Sequence, residues 1–261
     1  MSYKKLQETW LSDSEYKESF TENITFIHIG KCGGTSLRNS MAPSRVYHLK
    51  NNYKNGETYF IWVRNPISRF VSAFNMSKEL VQNYPKNYEN KKLTLENCLI
   101  PPRIIRALGT SSKYVFSQDY DDLINYFETA NDLAESITSS NITRRKKALE
   151  LMHHPTEHIF KGIGYYLYNG DFVEKNHKNI LFVGTNENLE NDFKELNKKL
   201  GTNYIFHGSE RINNTKLDKY LSEKAIRNIT NFYKGDYDAL HKLTKYNFIE
   251  KNLVKSYYKY K

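Results

Sequence analysis

Residues 24–38, ITFIHIGKCGGTSLR, constrain this chain more than any other stretch, because an apolar run passes directly into a Gly-Gly turn flanked by Lys31, Thr35 and Ser36. Ile24, Phe26, Ile27 and Ile29 read as a buried β-strand. Gly33 and Gly34 let the backbone turn sharply enough to aim several N–H groups at one point. A helix starting near Thr35 adds its positive N-terminal end, and Lys31 adds a full charge. The combination is a cradle for a phosphate or sulfate. Residue order separates it from the nucleoside-triphosphatase loop, in which the lysine follows the last glycine and a hydroxyl holds magnesium. Here Lys31 precedes both glycines.

A second unit, residues 58–74 (TYFIWVRNPISRFVSAF), repeats the strand-to-helix plan with different chemistry. Tyr59 to Val63 read as a strand, Asn65 as an N-cap and Pro66 as the first helical residue. Phe70 and Phe74 fall on a core-facing stripe, while Arg69 and Ser72 share a neighbouring face. Arg64 is thereby set at a strand end beside a helix N-terminus.

The string HIGKCGGTSL closely resembles the 5′-phosphosulfate loop of the sulfotransferases that use 3′-phosphoadenosine 5′-phosphosulfate (PAPS), and RNPISRFVS resembles their 3′-phosphate motif, Arg-x-Pro-x-x-Arg-x-x-Ser. The resemblance implies a P-loop-like sulfotransferase fold and a metal-free transfer of sulfuryl from PAPS to a hydroxyl acceptor, a carbohydrate or small molecule. It assigns Lys31 to catalysis and the backbone of Lys31, Cys32, Gly33, Gly34, Thr35 and Ser36 to the 5′ end of the nucleotide. Arg64 and Ser72 take the 3′-phosphate. Residues 184–200 resemble the family's Gly-x-x-Glu-Asn-Leu stretch, and 211–243 its C-terminal portion, where a loop over the nucleotide implies a contact from Thr215. In uronyl 2-O-sulfotransferases a histidine between the two motifs is the base, a place filled here by His48. Amine- and 3-O-sulfating relatives use a glutamate, which leaves Glu57 as the alternative.

Either loop alone is equally an ordinary glycine turn or a surface Arg–carboxylate pair; the two in order are not. A net charge of +10 over 261 residues suits anionic ligands without identifying the acceptor. The size fits one α/β domain at 23–261, with a mostly parallel sheet flanked by helices, behind a polar arm at 1–22. Residues 77–178 read as an acceptor-binding insertion, within which 120–152 alternates in helical fashion with Leu123, Tyr126, Phe127 and Ala130 on one face. Asn179–Gly184 reads as a third parallel strand, followed by a helix that Gly201 ends.

With only Cys32 and Cys98, no disulfide framework is expected. Cys32 reads as a backbone donor with a tolerated side chain. The absence of an apolar leader and of any spanning run points to a cytoplasmic protein. His28 reads as a buried ring. His154 and His158 have the spacing of metal ligands, but Pro155 interrupts a simple helix and no third ligand accompanies them, so with Tyr165 and Tyr166 they could instead line an acceptor cleft. The Lys-Tyr tail from Lys251 reads as a frayed terminus, with no nucleic-acid partner. Two rival readings are a nucleotide-dependent kinase and a non-catalytic polyanion-binding protein.

Overall fold

A computed structural model describes residues 24–41, 45–47, 57–83, 92–94, 114–154, 158–208 and 217–260 of the chain. The arm at 1–22, His48, Cys98 and Thr215 lie outside them.

In chain order the strands are β1 (Ile24–Ile27), β2 (Arg45–Tyr47), β3 (Thr58–Val63), β4 (Lys92–Thr94), β5 (Tyr114–Ser117) and β6 (Ile180–Thr185). Four form a parallel sheet in the order β2-β1-β3-β6, and β4 pairs with β5 antiparallel outside it. Register sets Phe26 opposite Val46 on one side and Phe60 on the other.

Parallel strands need crossover connections, and helices supply them. β1 leads into α1 (Gly34–Met41) and β3 into α2 (Pro66–Asn83). The stretch read as one alternating helical run is three helices: α3 (Gln118–Tyr126), α4 (Ala130–Ser136) and α5 (Ile142–Met152). Two caps divide it, Thr129 accepting from the Asp132 amide and Asn141 from the Arg144 amide. Of the four residues assigned to one face, Leu123, Phe127 and Ala130 are buried, whereas Tyr126 is 38% exposed. Then follow α6 (Ile163–Leu167), α7 (Asp171–Asn176), β6 and α8 (Leu189–Leu200), which Gly201 ends in a left-handed cap at φ 65°. Helices α9 (Glu223–Phe232), α10 (Lys234–Lys245) and α11 (Lys251–Ser256) complete the described chain.

Both faces of the sheet are covered, and β3 shows why its sequence is apolar throughout. Phe60 and Trp62 enter a cluster with Phe26, Leu37, Phe193 and Leu196, so α1 and α8 cover that face. Tyr59, Ile61 and Val63 point the other way, into a cluster with Ile163, Tyr237, Leu240 and Val254 from α6, α10 and α11. A third cluster joins α2 to α3, α4, α5 and α9, with Phe70 and Phe74 at its centre. The described helices of the expected 77–178 insertion are therefore part of the main core.

The terminus read as frayed is packed: Val254 is 1% exposed and Tyr257 2%. Among the described residues, no helix is long and apolar enough to cross a membrane.

Candidate active site

The first loop is held by groups that only glycine admits. Lys31 and Gly33 have φ values of 68° and 83°, so the turn passes through the left-handed region twice. For Lys31 that costs about 1–2 kcal/mol, which the surrounding contacts must offset. The Cys32 amide donates to Ile29 O (3.3 Å), closing the turn. A Cβ on Gly30 would lie 2.2 Å from Nδ1 of His158, and one on Gly34 would lie 1.9 Å from Cδ2 of His28. Two buried imidazole rings thus wedge the loop from below. Helix α1 makes its first intrahelical bond at Leu37, whose amide donates to Gly33 O (3.2 Å). The amides of Gly34, Thr35 and Ser36 have no partner within the helix, which makes them donors for an anion.

Asn65 caps α2 as its sequence requires, accepting from the amides of Ile67 (2.8 Å) and Ser68 (3.4 Å). Arg64 and the first loop meet directly, Nη1 of Arg64 donating to Lys31 O at 3.3 Å. Arg64, Ser68, Ser72 and Met76 are partly exposed, and the other positions of 64–76 are buried. Within α2 residues four apart stack along one face, so Ser68, Ser72 and Met76 form a single open strip. Nζ of Lys31 donates to Sδ of Met76 at 3.1 Å, at the far end of that strip. Lys31 therefore meets Arg64 through its carbonyl and the α2 strip that carries Ser72 through its ammonium, beyond the carboxyl ends of the adjacent strands β1 and β3.

Sequence reasoning put Arg69 on a face beside Ser72 and missed its partners. Its side chain is fully buried, with Nη1 donating to His158 O (2.7 Å) and Lys161 O (3.2 Å). Its Nε lies 3.7 Å from Oδ2 of Asp236, and its guanidinium sits 4.8 Å from the centre of the Tyr233 ring. Asp236 in turn accepts from the Gly164 amide (2.8 Å). Burial pushes the Asp236 carboxyl above its ordinary range, and Arg69 and the Gly164 amide oppose that shift. Arg69 fixes the turn that carries the His158 ring under Gly30, so it supports the first loop without facing it.

The third unit is tied to the second by Glu187, from the Gly-x-x-Glu-Asn-Leu stretch. One carboxylate oxygen accepts from the Asn65 amide (2.9 Å) and the other from the Tyr257 hydroxyl (2.8 Å). Thr215 lies outside the described residues, but its flanks are anchored. The His207 amide donates to Oγ of Ser40 on α1 (2.8 Å), and Nδ2 of Asn75 on α2 donates to Asp218 O (3.2 Å).

The base candidates separate by position. β2 runs parallel to β1 and ends at Tyr47, immediately before His48, which itself lies outside the described residues. Glu57, the alternative base, does not reach the two motif loops: it precedes β3, 4% exposed, and accepts from Oγ1 of Thr25 (3.2 Å). That is the amino edge of the sheet, about 20 Å from Arg64 at roughly 3.3 Å per strand residue. The two motif loops lie at the opposite, carboxyl edge. Burial pushes the Cys32 thiol up to about 12, so it is no thiolate nucleophile. His154 packs on the Tyr120 ring (centroids 4.9 Å apart) while His158 is turned onto Gly30. Tyr166 is core, 4% exposed. Among the described residues, no three His, Cys, Asp or Glu side chains converge as a metal site would need.

Fold and site together define an α/β protein whose two motif loops, of unlike chemistry, meet at the carboxyl edge of its parallel sheet, the edge at which such sheets take ligands. The chain belongs to the sulfotransferase family: the family model described as "Sulfotransferase family" matches residues 15–242. It is thus an enzyme of sulfuryl transfer. Comparison with curated proteins gives no match, and comparison with solved structures gives none.

Proposed function

We propose that this sulfotransferase takes PAPS as its donor and transfers sulfuryl to a hydroxyl of a carbohydrate acceptor by in-line displacement. The observation that carries the reading is the contact of Arg64 with Lys31 O, which puts a cation from the second motif against the backbone of the first. A nucleotide phosphorylated at both 5′ and 3′ positions needs two clamps on one surface, and ordinary adenylates need one.

In this reading the amides of residues 33–36 hold the 5′ end, and Arg64 and Ser72 hold the 3′-phosphate. Cys32 contributes the turn and not a free amide. Lys31, drawn from Met76 onto the bound anion, stabilises charge on the leaving phosphate and the passing sulfuryl group. As the acceptor oxygen bonds to sulfur, the bond from sulfur to the phosphate oxygen breaks, and the acceptor proton passes to His48. An imidazole with a pKa near 6.5 suits that task. Thr215 is a further donor contact, and 77–178 supplies acceptor selectivity through its described helices packed on α2. A metal is not required, which separates this reading from a kinase.

The test is transfer of labelled sulfuryl from PAPS to a panel of glycans and small alcohols in the presence of EDTA. Label should move in the wild type and not in Lys31→Ala. His48→Ala should lose turnover and keep nucleotide affinity. A His48→Ala enzyme with most of its rate would refute the base assignment, and a reaction abolished by EDTA would favour the kinase.

A further inference from the structure

The family match ends at residue 242, yet the chain beyond it is built into the site. Tyr257 is 2% exposed and shares a core cluster with Ile29 and Cys32 of the first loop and Val254 of α11. Its backbone carbonyl accepts from the Tyr237 hydroxyl (3.0 Å), which fixes the ring from the α10 side. Its hydroxyl donates to Glu187, and the other oxygen of that carboxylate accepts from the amide of Asn65. Asn65 follows Arg64 directly and caps α2. One carboxylate thus spans the tail, the third unit and the residue that follows Arg64. The neighbouring Tyr260 donates to Lys219 O (2.8 Å), beside the Asp218 carbonyl held by Asn75 of α2.

We infer that Tyr257 is a positioning residue for the 3′-phosphate clamp, acting through Glu187 to fix the Asn65 amide and hence the direction of Arg64. The inference rests on the donor reading above and deepens it, naming a determinant of selectivity for a 3′-phosphorylated nucleotide that lies outside the family's matched region. The clasp pre-organises the clamp. Hydrogen bonds to a charged group are short and strong, and a carboxylate held at both oxygens has one orientation left. With the tyrosine hydroxyl removed, Glu187 can turn, and the Asn65 amide loses its fixed acceptor. Arg64 then pays an ordering cost when it meets a phosphate. A phenylalanine ring still fills the same place in the cluster with Ile29 and Cys32, so the 5′ loop keeps its packing.

The experiment uses Tyr257→Phe in the full chain, with calorimetry against 3′-phosphoadenosine 5′-phosphate and against 5′-AMP. Affinity for the 3′-phosphorylated nucleotide should fall by up to about tenfold, the ordering cost of one long side chain, while that for 5′-AMP stays within about twofold. Adding Tyr257→Phe to Glu187→Ala should bring no further loss of the preference. Amide exchange at Asn65 should accelerate in Tyr257→Phe. An unchanged preference, equal weakening of both nucleotides, or unchanged protection at Asn65 would each overturn the inference. Should the wild type itself show no preference, the donor reading fails, and exchange at Asn65 still decides whether the clasp exists.

Discussion

Replacing Arg69 by Met removes a buried cation and leaves its carboxylate partner in place, so the cost can be worked from the site. Asp236 keeps the Gly164 amide and loses the guanidinium 3.7 Å away, and the carbonyls of His158 and Lys161 lose their donor. Breaking one side of such a pair costs about 3–5 kcal/mol. Asp236 escapes the worst of this by taking up a proton. Relative to an unfolded carboxyl near 3.9, neutralising it costs about 4 kcal/mol at pH 7 and only about 1.5 kcal/mol at pH 5. The sign follows from linkage: a carboxyl whose folded pKa is raised binds more protons in the native state, so stability falls as pH rises above the unfolded value. Urea unfolding at pH 5, 6 and 7 should therefore show a deficit in Arg69→Met that shrinks toward pH 5 by at most about 2–3 kcal/mol, because the wild-type carboxyl is itself raised. Adding Asp236→Asn should recover much of the pH 7 loss and flatten the pH dependence. A deficit under about 1 kcal/mol at pH 7, or one without pH dependence, would refute the reasoning.

Three other perturbations test separate parts of the structure. Gly34→Ala drives a Cβ to within 1.9 Å of the buried His28 ring, so it should cost about 1–3 kcal/mol in thermal or urea unfolding and weaken nucleotide binding. Cys32, with its thiol raised to about 12 and no exposure, should resist iodoacetamide at pH 8 in the native state and react once unfolded. Glu174, held down to about 2 chiefly by Lys242 and then by Lys245 and Tyr246, should titrate by NMR well below an ordinary glutamate. Its small contribution is present above the ordinary carboxylate range and disappears as pH falls toward 2, and Glu174→Gln should remove that part of the acid dependence.

The strand-to-helix units were legible because each is local. The Asn65-Pro66 cap, the stripe of Phe70 and Phe74, and the Gly201 terminator are all decided by residues within a turn or two of each other. The breaks at Thr129 and Asn141 were hidden, since a cap among polar residues looks like part of an exposed helix face. What the sequence could not disclose was long-range pairing. Arg69 meets Asp236, and Asn65 and Tyr257 meet on Glu187, between segments that carry no shared periodicity. The Lys-Tyr tail looked solvated because its apolar face is made by single residues, Val254 and Tyr257, that find their partners only in the folded sheet. Glu57 was placed by order between two motifs, and order along a parallel strand does not tell the amino from the carboxyl edge.

The central claim is that Lys31 and Arg64 form two clamps on one adenosine nucleotide, and calorimetry with 3′-phosphoadenosine 5′-phosphate in EDTA measures it most directly. The account predicts binding at least about tenfold tighter than 5′-AMP, with the difference collapsing in Arg64→Ala, as loss of a charge-assisted phosphate contact requires. Failure to bind, or equal affinity for the two nucleotides, would contradict it.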